Sequence, residues 1–220
     1  MSTFYPHDHT RDYPDGWHAM FSGSKHSWAN WSPEDVKDKV VARVSSEDAR
    51  TIGTIIHAEA ATNIRNKTII PRKDVAEFLI TRAILLGGIP RKEFDPKVYV
   101  NNFYHYCNDA IKLGMSAEFK IKPFSDSLYF GGTADALKFE DGKLIIFDLK
   151  TGSNNVSMEQ LLIYAAFFCL EYGIRPGDIQ TTLKIYQENK KQTMNPSTPQ
   201  LVKLMDLTVT INDYISEWRR

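Results

Sequence analysis

The sequence predicts an α/β fold in which a helical N-terminal half precedes a sheet built in the order β-β-β-α-β. Three observations carry this expectation. Glu140-Asp141-Gly142-Lys143 sits between two apolar runs, and Asp-Gly in that setting signals a two-residue type I′ hairpin. "SMEQLLIYAAFF", from Ser157 to Phe168, is apolar, rich in helix formers and too long for an ordinary strand. A further strand pattern at 181–186 follows the helix stop at Gly173.

The elements follow in chain order. Residues 1–31 hold His7, His9, His18 and His26 among many aromatics, with no period of 2 or 3.6, and predict an irregular arm packed on the body. Core packing is the expected use of those aromatics, with stacking on unpaired bases as the alternative. His7 and His9 suggest a metal site but lack a third ligand at suitable spacing. Ser32-Pro33-Glu34-Asp35 starts a helix, with Ser as N-cap, Pro at the first helical position and acids in the first turn. Ser46 caps another, running through Arg50, Ile52, Ile56 and His57. Helical patterns at 73–87 and 97–113 stop at Gly87-Gly88 and at Gly114.

Strands are expected at 117–124, 128–140 and 143–151, a helix at 157–172, strands at 181–186 and 201–210, and a terminal helix at 211–218. There is no internal repeat and no clear linker. The expectation is one domain: an arm over 1–31, a helical part over 32–114 and a sheet core carrying the site over 115–220.

Composition excludes little. Of 220 residues, 42% are hydrophobic, enough for a substantial core, and 27 basic residues balance 27 acidic ones. A nucleic-acid binder of zero net charge needs local basic patches. Cys107 and Cys169 lie in apolar helical segments and suit buried free thiols in a reducing compartment. Two are too few for a cysteine zinc site or a four-cysteine iron–sulfur cluster. No basic leader precedes an apolar stretch, and no run approaches the ~18 apolar residues of a membrane span. A soluble cytoplasmic protein with no membrane partner is expected, in the host cytoplasm if a phage encodes it.

"GKLIIFDLKTG", from Gly142 to Gly152, places a carboxylate and an ammonium inside an apolar strand. Alternation puts Leu144, Ile146, Asp148 and Lys150 on one face and Ile145, Phe147 and Leu149 on the other. With Asp141-Gly142 as the loop, Asp135 stands opposite Asp148 in a close, non-hydrogen-bonded pair. Facing carboxylates repel, so the pairing suits a cation held between them, with Mg²⁺ or Mn²⁺ preferred by hard oxygen ligands. The alternative is an Asp148–Lys150 salt bridge at a strand end. A solvated charge ladder is opposed by Leu137 and Ile146 on the same face. A second turn at Asp126-Ser127 would bring Glu118 opposite Asp135, extending the row. Gln160 and Tyr164 are one helical turn apart and point the same way. Ser157 with Gln160 also fits a capping box.

"GGTADALKFEDGKLIIFDLKTG" followed by "EQLLIYA", with "IGTIIHAEAA" upstream, resembles the RecB-like exonuclease branch of the PD-(D/E)XK nuclease superfamily. The matching features, over about 53–187, are an Asp on one strand, Asp-x-Lys on the next, Gln-x-x-x-Tyr on the following helix, and a histidine after a glycine at a helix start. These are Asp135, Asp148 with Lys150, Gln160 with Tyr164, and Gly53 with His57. The resemblance implies a restriction-endonuclease-like core, a mixed β-β-β-α-β sheet flanked by helices. It implies Asp135 and Asp148 as ligands of Mg²⁺ or Mn²⁺, with the Leu149 carbonyl as a further oxygen and His57 on the ion's other side. Glu118 would be a ligand or an acid just outside the ligands. Lys150 would orient or polarise the attacking water, and Gln160 and Tyr164 would steady the site. The cysteines of the iron–sulfur members of that branch are missing, as are helicase motifs.

The chemistry stands apart from the family. Phosphodiester hydrolysis needs an activated water and positive charge near the phosphate, which a metal between carboxylates and a neighbouring ammonium supply. DNA contacts are expected from Arg65, Lys67, Arg72 and Lys73, and from Lys184, Lys190 and Lys191, the last two in a loop after the final core strand. The expected function is a metal-dependent deoxyribonuclease, an exonuclease or end-processing enzyme of recombination, repair or phage DNA metabolism. It would act on single- or double-stranded DNA, ends included, with a recombination protein as a candidate partner. The rivals are a DNA-binding or assembly subunit that lost catalysis, and a carboxylate–metal enzyme acting on small phosphates, for which no Gly-rich phosphate loop is present.

Overall fold

The computed structural model describes residues 23–30, 52–87, 95–151, 157–187 and 189–218. Among them are five α-helices and a five-stranded sheet. The helices are α1 (Ile52–Arg65), α2 (Val75–Gly87), α3 (Lys97–Leu113), α4 (Glu159–Tyr172) and α5 (Thr198–Trp218). The strands are β1 (Ser116–Ile121), β2 (Gly132–Glu140), β3 (Lys143–Leu149), β4 (Gln180–Gln187) and β5 (Lys190–Met194), in spatial order β1-β2-β3-β4-β5. The β3–β4 pair is parallel, bridged by α4, and the other pairs are antiparallel. The fold is α/β with a mixed sheet.

Both faces of the sheet are covered. On one face Leu144 and Ile146 of β3 pack with Ile163 and Phe167 of α4, Ile211 and Ile215 of α5, and Trp28 from a 3₁₀ turn at Gly23–Asn30. On the other, Phe147 and Leu149 pack with Ile56 and Ala60 of α1, Leu79 of α2, and Phe103 and Tyr106 of α3. This two-faced burial is what makes β3 apolar throughout. Trp28 is fully buried, stacked on Phe167 at 6.0 Å and edge-on to Phe130 at 5.8 Å, so this aromatic of the N-terminal segment serves the core. Cys107 and Cys169 are buried free thiols.

The hairpin forms as its turn dictates. Asp141 and Gly142 both have positive φ, 49° and 69°, the requirement of a type I′ turn, and Glu140 pairs with Lys143. The register continues to Ala136↔Phe147, which leaves Asp135 and Asp148 as the next positions outward. The β1–β2 pairs Ala117↔Ala136 and Phe119↔Ala134 bracket Glu118 and Asp135. That register comes without the expected tight turn at Asp126-Ser127: β1 ends at Ile121, β2 begins at Gly132, and a longer loop joins them.

Two further expectations are corrected. Residues 201–210 belong to helix α5, not to a strand. Their Val and Thr content imitates a strand, but the buried residues Leu201, Thr208, Ile211 and Ile215 recur at helical spacing. Thr208 and Thr210 donate their hydroxyls to the carbonyls of Leu204 and Asp206, at 2.7 and 2.9 Å, which accommodates them in a helix. Lys190 and Lys191 lie in β5 rather than a loop. Asn189, at φ 63°, lies in the turn enclosed by the Gln187↔Lys190 pair. The helix starts at Ser32 and Ser46, and the His7/His9 pair, fall outside the described residues.

Candidate metal centre

The site forms at the end of the sheet where β3 stops. Lys150 carries the pairing one residue past the strand, its N–H donating to the Tyr186 carbonyl at 2.9 Å. On the other side the β2–β3 ladder breaks, and Asp135 fills the gap. A continued ladder would set Ala134 opposite Leu149. Instead, the Leu149 N–H donates to Asp135 Oδ2 at 2.8 Å. A carboxylate thus replaces a backbone acceptor at the mouth of the sheet.

His57, on the first turns of α1, reaches the same oxygen, with Nδ1 3.1 Å from Asp135 Oδ2. Burial pulls the imidazole pKa down, but the charge and hydrogen bond of Asp135, with Asp148 behind it, raise it above its ordinary value. Burial conversely pushes Asp135 up. The His57 charge and hydrogen bond, the Leu149 N–H and the Lys150 charge outweigh it and hold that carboxyl below its ordinary value. Asp148 is 2% exposed. Burial and the neighbouring Asp135 charge push it up to about 6, against the opposing pull of Lys150 and His57.

Lys150 bridges to the other layer. Its Nζ lies 3.1 Å from Asp148 Oδ1 and 3.0 Å from Oδ2, and donates to Gln160 Oε1 on α4 at 2.5 Å. Oδ2 itself accepts no hydrogen bond despite that proximity, so one buried carboxylate oxygen is left unsatisfied. Gln160 Nε2 donates to the Tyr164 hydroxyl at 3.4 Å. The Ser157 hydroxyl accepts from the Glu159 N–H at 3.1 Å, while the N-cap residue is Met158 with no side-chain cap and the Gln160 side chain turns to Lys150, so the alternative capping box of Ser157 with Gln160 does not form. His57, Asp135 and Lys150 keep 33%, 21% and 26% of their side chains exposed, so the cluster is reached by solvent while Asp148 is buried.

The structure therefore brings together His57, Asp135, Asp148, Leu149, Lys150, Gln160 and Tyr164. Glu118 has its own ion-pair partner. It sits opposite Asp135 with φ at 50°, breaking the ladder, and its exposed carboxylate pairs with Arg65. Several of the basic candidates already have partners. Arg72 donates Nε to Asn101 Oδ1 at 2.9 Å, and Asn101 donates to Asn189 at 2.6 Å, tying α3 to the β4–β5 turn. Lys67, Lys73 and Lys190 are exposed. Lys184 covers Phe147 at 4.9 Å, and Lys191 pairs with Asp109 at 2.8 Å.

Tyr106 is a neighbour of the site that sequence reasoning passed over. It is buried on α3 against Tyr186, and burial, followed by the Asp135 charge, raises its phenol well above the ordinary value, so it stays neutral. In the sequence it is one more apolar-face residue of a helix, with no signal to separate it.

A divalent cation fits this donor set in a limited way. Asp148 Oδ2 makes no hydrogen bond of good geometry, and burial with the Asp135 charge raises the Asp148 pKa, so added positive charge beside that carboxylate would be favourable. Among the described residues no group of three His, Cys, Asp or Glu side chains converges to hold an ion. Two carboxylates match Mg²⁺ or Mn²⁺, which take few protein oxygens and complete their shell with water and phosphate, and do not match a closed protein cage. Compared with known proteins, the chain matches no family model and no curated protein.

Proposed function

We propose that the chain is a metal-dependent deoxyribonuclease with a restriction-endonuclease-like core, working on DNA ends or as an exonuclease. The observation that carries this reading is a buried carboxylate, Asp148, beside a second one, Asp135, and in contact with an ammonium held by Gln160, at a solvent-open sheet end. Asp135 and Asp148 would hold Mg²⁺ or Mn²⁺. When bound, such an ion supplies Lewis acidity toward water and phosphate oxygen. His57 fixes the Asp135 carboxylate and keeps it ionised. Lys150 places positive charge where a phosphate gains negative charge as it is attacked. Gln160 holds that ammonium in place. Arg65, Lys67, Arg72, Lys73, Lys184, Lys190 and Lys191 are proposed to contact the DNA backbone.

No helix among the described residues is long and apolar enough to cross a membrane. A cytoplasmic setting and a recombination partner remain part of the proposal.

The Asp148–Lys150 ion pair also favours a second reading, a DNA-binding subunit in which that pair is purely structural. One experiment separates the two: the purified protein incubated with linear, circular, single- and double-stranded DNA and Mg²⁺, Mn²⁺, Ca²⁺ or chelator. Cleavage with Mg²⁺ or Mn²⁺, little with Ca²⁺ and none with chelator is expected, because Ca²⁺ coordinates at longer, looser distances. Binding without cleavage under all conditions would establish the second reading.

A further inference from the structure

We propose that the Gly23–Asn30 turn is a working part of this site, with Gly23 a positioning residue that locks the Gln160–Tyr164 pair in the orientation needed to carry Lys150. The inference rests on the nuclease reading for its consequence, but not for its geometry.

Gly23 is buried against α4. A Cβ placed there would come 2.6 Å from Tyr164 Cε1, 2.8 Å from Tyr164 Cζ and 2.8 Å from the Gln160 carbonyl oxygen. The backbone of the segment therefore lies directly on the Tyr164 ring, and only glycine permits that approach. Trp28, fully buried between Phe130 and Phe167, anchors the segment five residues on.

The lock follows from hydrogen-bond chemistry. An ammonium only donates, so Gln160 must turn Oε1 toward Lys150 and Nε2 the opposite way. The acceptor that meets Nε2 is the Tyr164 hydroxyl. If the ring is displaced, Nε2 loses that acceptor, the amide is free to rotate, and Lys150 loses its second anchor. Gly23 thus acts on Lys150 through the ring of Tyr164 and the amide of Gln160, without touching substrate.

Gly23→Ala tests this with two readouts. The first is the rate at which an amine-acylating reagent labels Lys150, read by peptide mass spectrometry without DNA or metal. A several-fold rise is expected, with Lys184 labelling unchanged. The second is the kinetic split: kcat for DNA cleavage per folded molecule should fall about tenfold, while DNA affinity measured without metal stays constant. If wild type cuts no DNA yet Lys150 labelling rises in the variant, the nuclease reading fails and the positioning role stands. Unchanged Lys150 labelling in a folded Gly23→Ala protein overturns the role. If Gly23→Ala does not fold, Trp28→Phe decides alone. That change loosens the anchor without adding an atom at Gly23, so faster Lys150 labelling supports the lock and a wild-type rate removes it.

Discussion

Asp135 turns its carboxylate onto the Leu149 N–H at 2.8 Å, directly beyond the last ladder pair of β2 and β3. The ladder pairing ends there, and the side chain takes the place of a backbone carbonyl. The same oxygen receives His57. One carboxylate thus joins the sheet end to α1, and its charge governs both ionisable neighbours.

The charge of Asp135 sets the sign of the His57 shift, which Asp135→Asn should reverse. In wild type the imidazole should titrate above its ordinary value of 6.5. Without the carboxylate's charge, burial dominates and the pKa should drop below that value. Histidine NMR titration of the metal-free proteins reads this directly. A His57 pKa unmoved by the substitution would mean the contact is not formed in solution.

Metal-free protein should become more stable as pH falls from neutral toward 5. Asp148 has a folded pKa raised to about 6. A raised acid contributes stability when protonated, and that contribution is lost as pH rises through the folded value. His57, also raised, works in the same direction through its own range. Asp135 is lowered, so its contribution is lost only below its ordinary range and does not oppose the trend in this window. Thermal melts with chelator at pH 5.5 and 7.5 should show the difference, and Asp148→Asn should reduce it. Saturating Mn²⁺ should reduce it too, by stabilising the ionised carboxylate. A flat profile would show that Asp148 is not strained when ionised.

Gly142→Ala should cost about 1–2 kcal/mol, the penalty of placing a Cβ in the left-handed region. Gly142 has φ 69°, and the nearest atom to an added Cβ is the Asp178 carbonyl oxygen at 3.8 Å, so space is not the obstacle. Urea unfolding should show the loss with an unchanged m-value. A larger loss would indicate a shift of hairpin register and should carry Asp148 with it.

That hairpin was legible in the sequence because turn chemistry and alternation agreed. Asp141-Gly142 fixed the pairing, and the pairing placed Asp135 across from Asp148. The split of β3 between two cores, Leu144 and Ile146 against Phe147 and Leu149, follows from the same period of two. Where a pattern was missing or misleading, the reading failed. The β5 stretch Lys190–Met194 is exposed on both faces over most of its length, so no alternation marks it. Residues 201–210 looked like a strand because Val and Thr outweighed a burial period visible only over the whole of α5. The positive φ of Glu118 and its turn toward Arg65 have no sequence signature, since neither residue type requires that geometry. Gly23 and Tyr106 gain their places near the site only through tertiary packing.

The decisive comparison is between Asp148→Ala and Lys150→Ala. Both should abolish cleavage, for different reasons. Asp148 is proposed to hold the cation, so its loss should weaken Mn²⁺ binding in titration calorimetry. Lys150 is proposed to act on the phosphate, so its loss should leave Mn²⁺ binding intact or tighter, a competing positive charge having been removed. Without metal, Lys150→Ala leaves Asp148 buried at 2% exposure with its ion-pair partner gone. Breaking such a pair costs roughly 3–5 kcal/mol, less here to the extent that Asp148 protonates instead. Mn²⁺ should restore much of that stability, since it supplies the missing charge, and the variant should still bind DNA with metal present. A purely structural ion pair predicts a different pattern: both variants melt early, Mn²⁺ rescues neither, and any cleavage per folded molecule is unchanged. Normal cleavage by folded Lys150→Ala would remove Lys150 from the chemistry, and normal cleavage by both folded variants would leave Asp148 and Lys150 as a strand-end salt bridge.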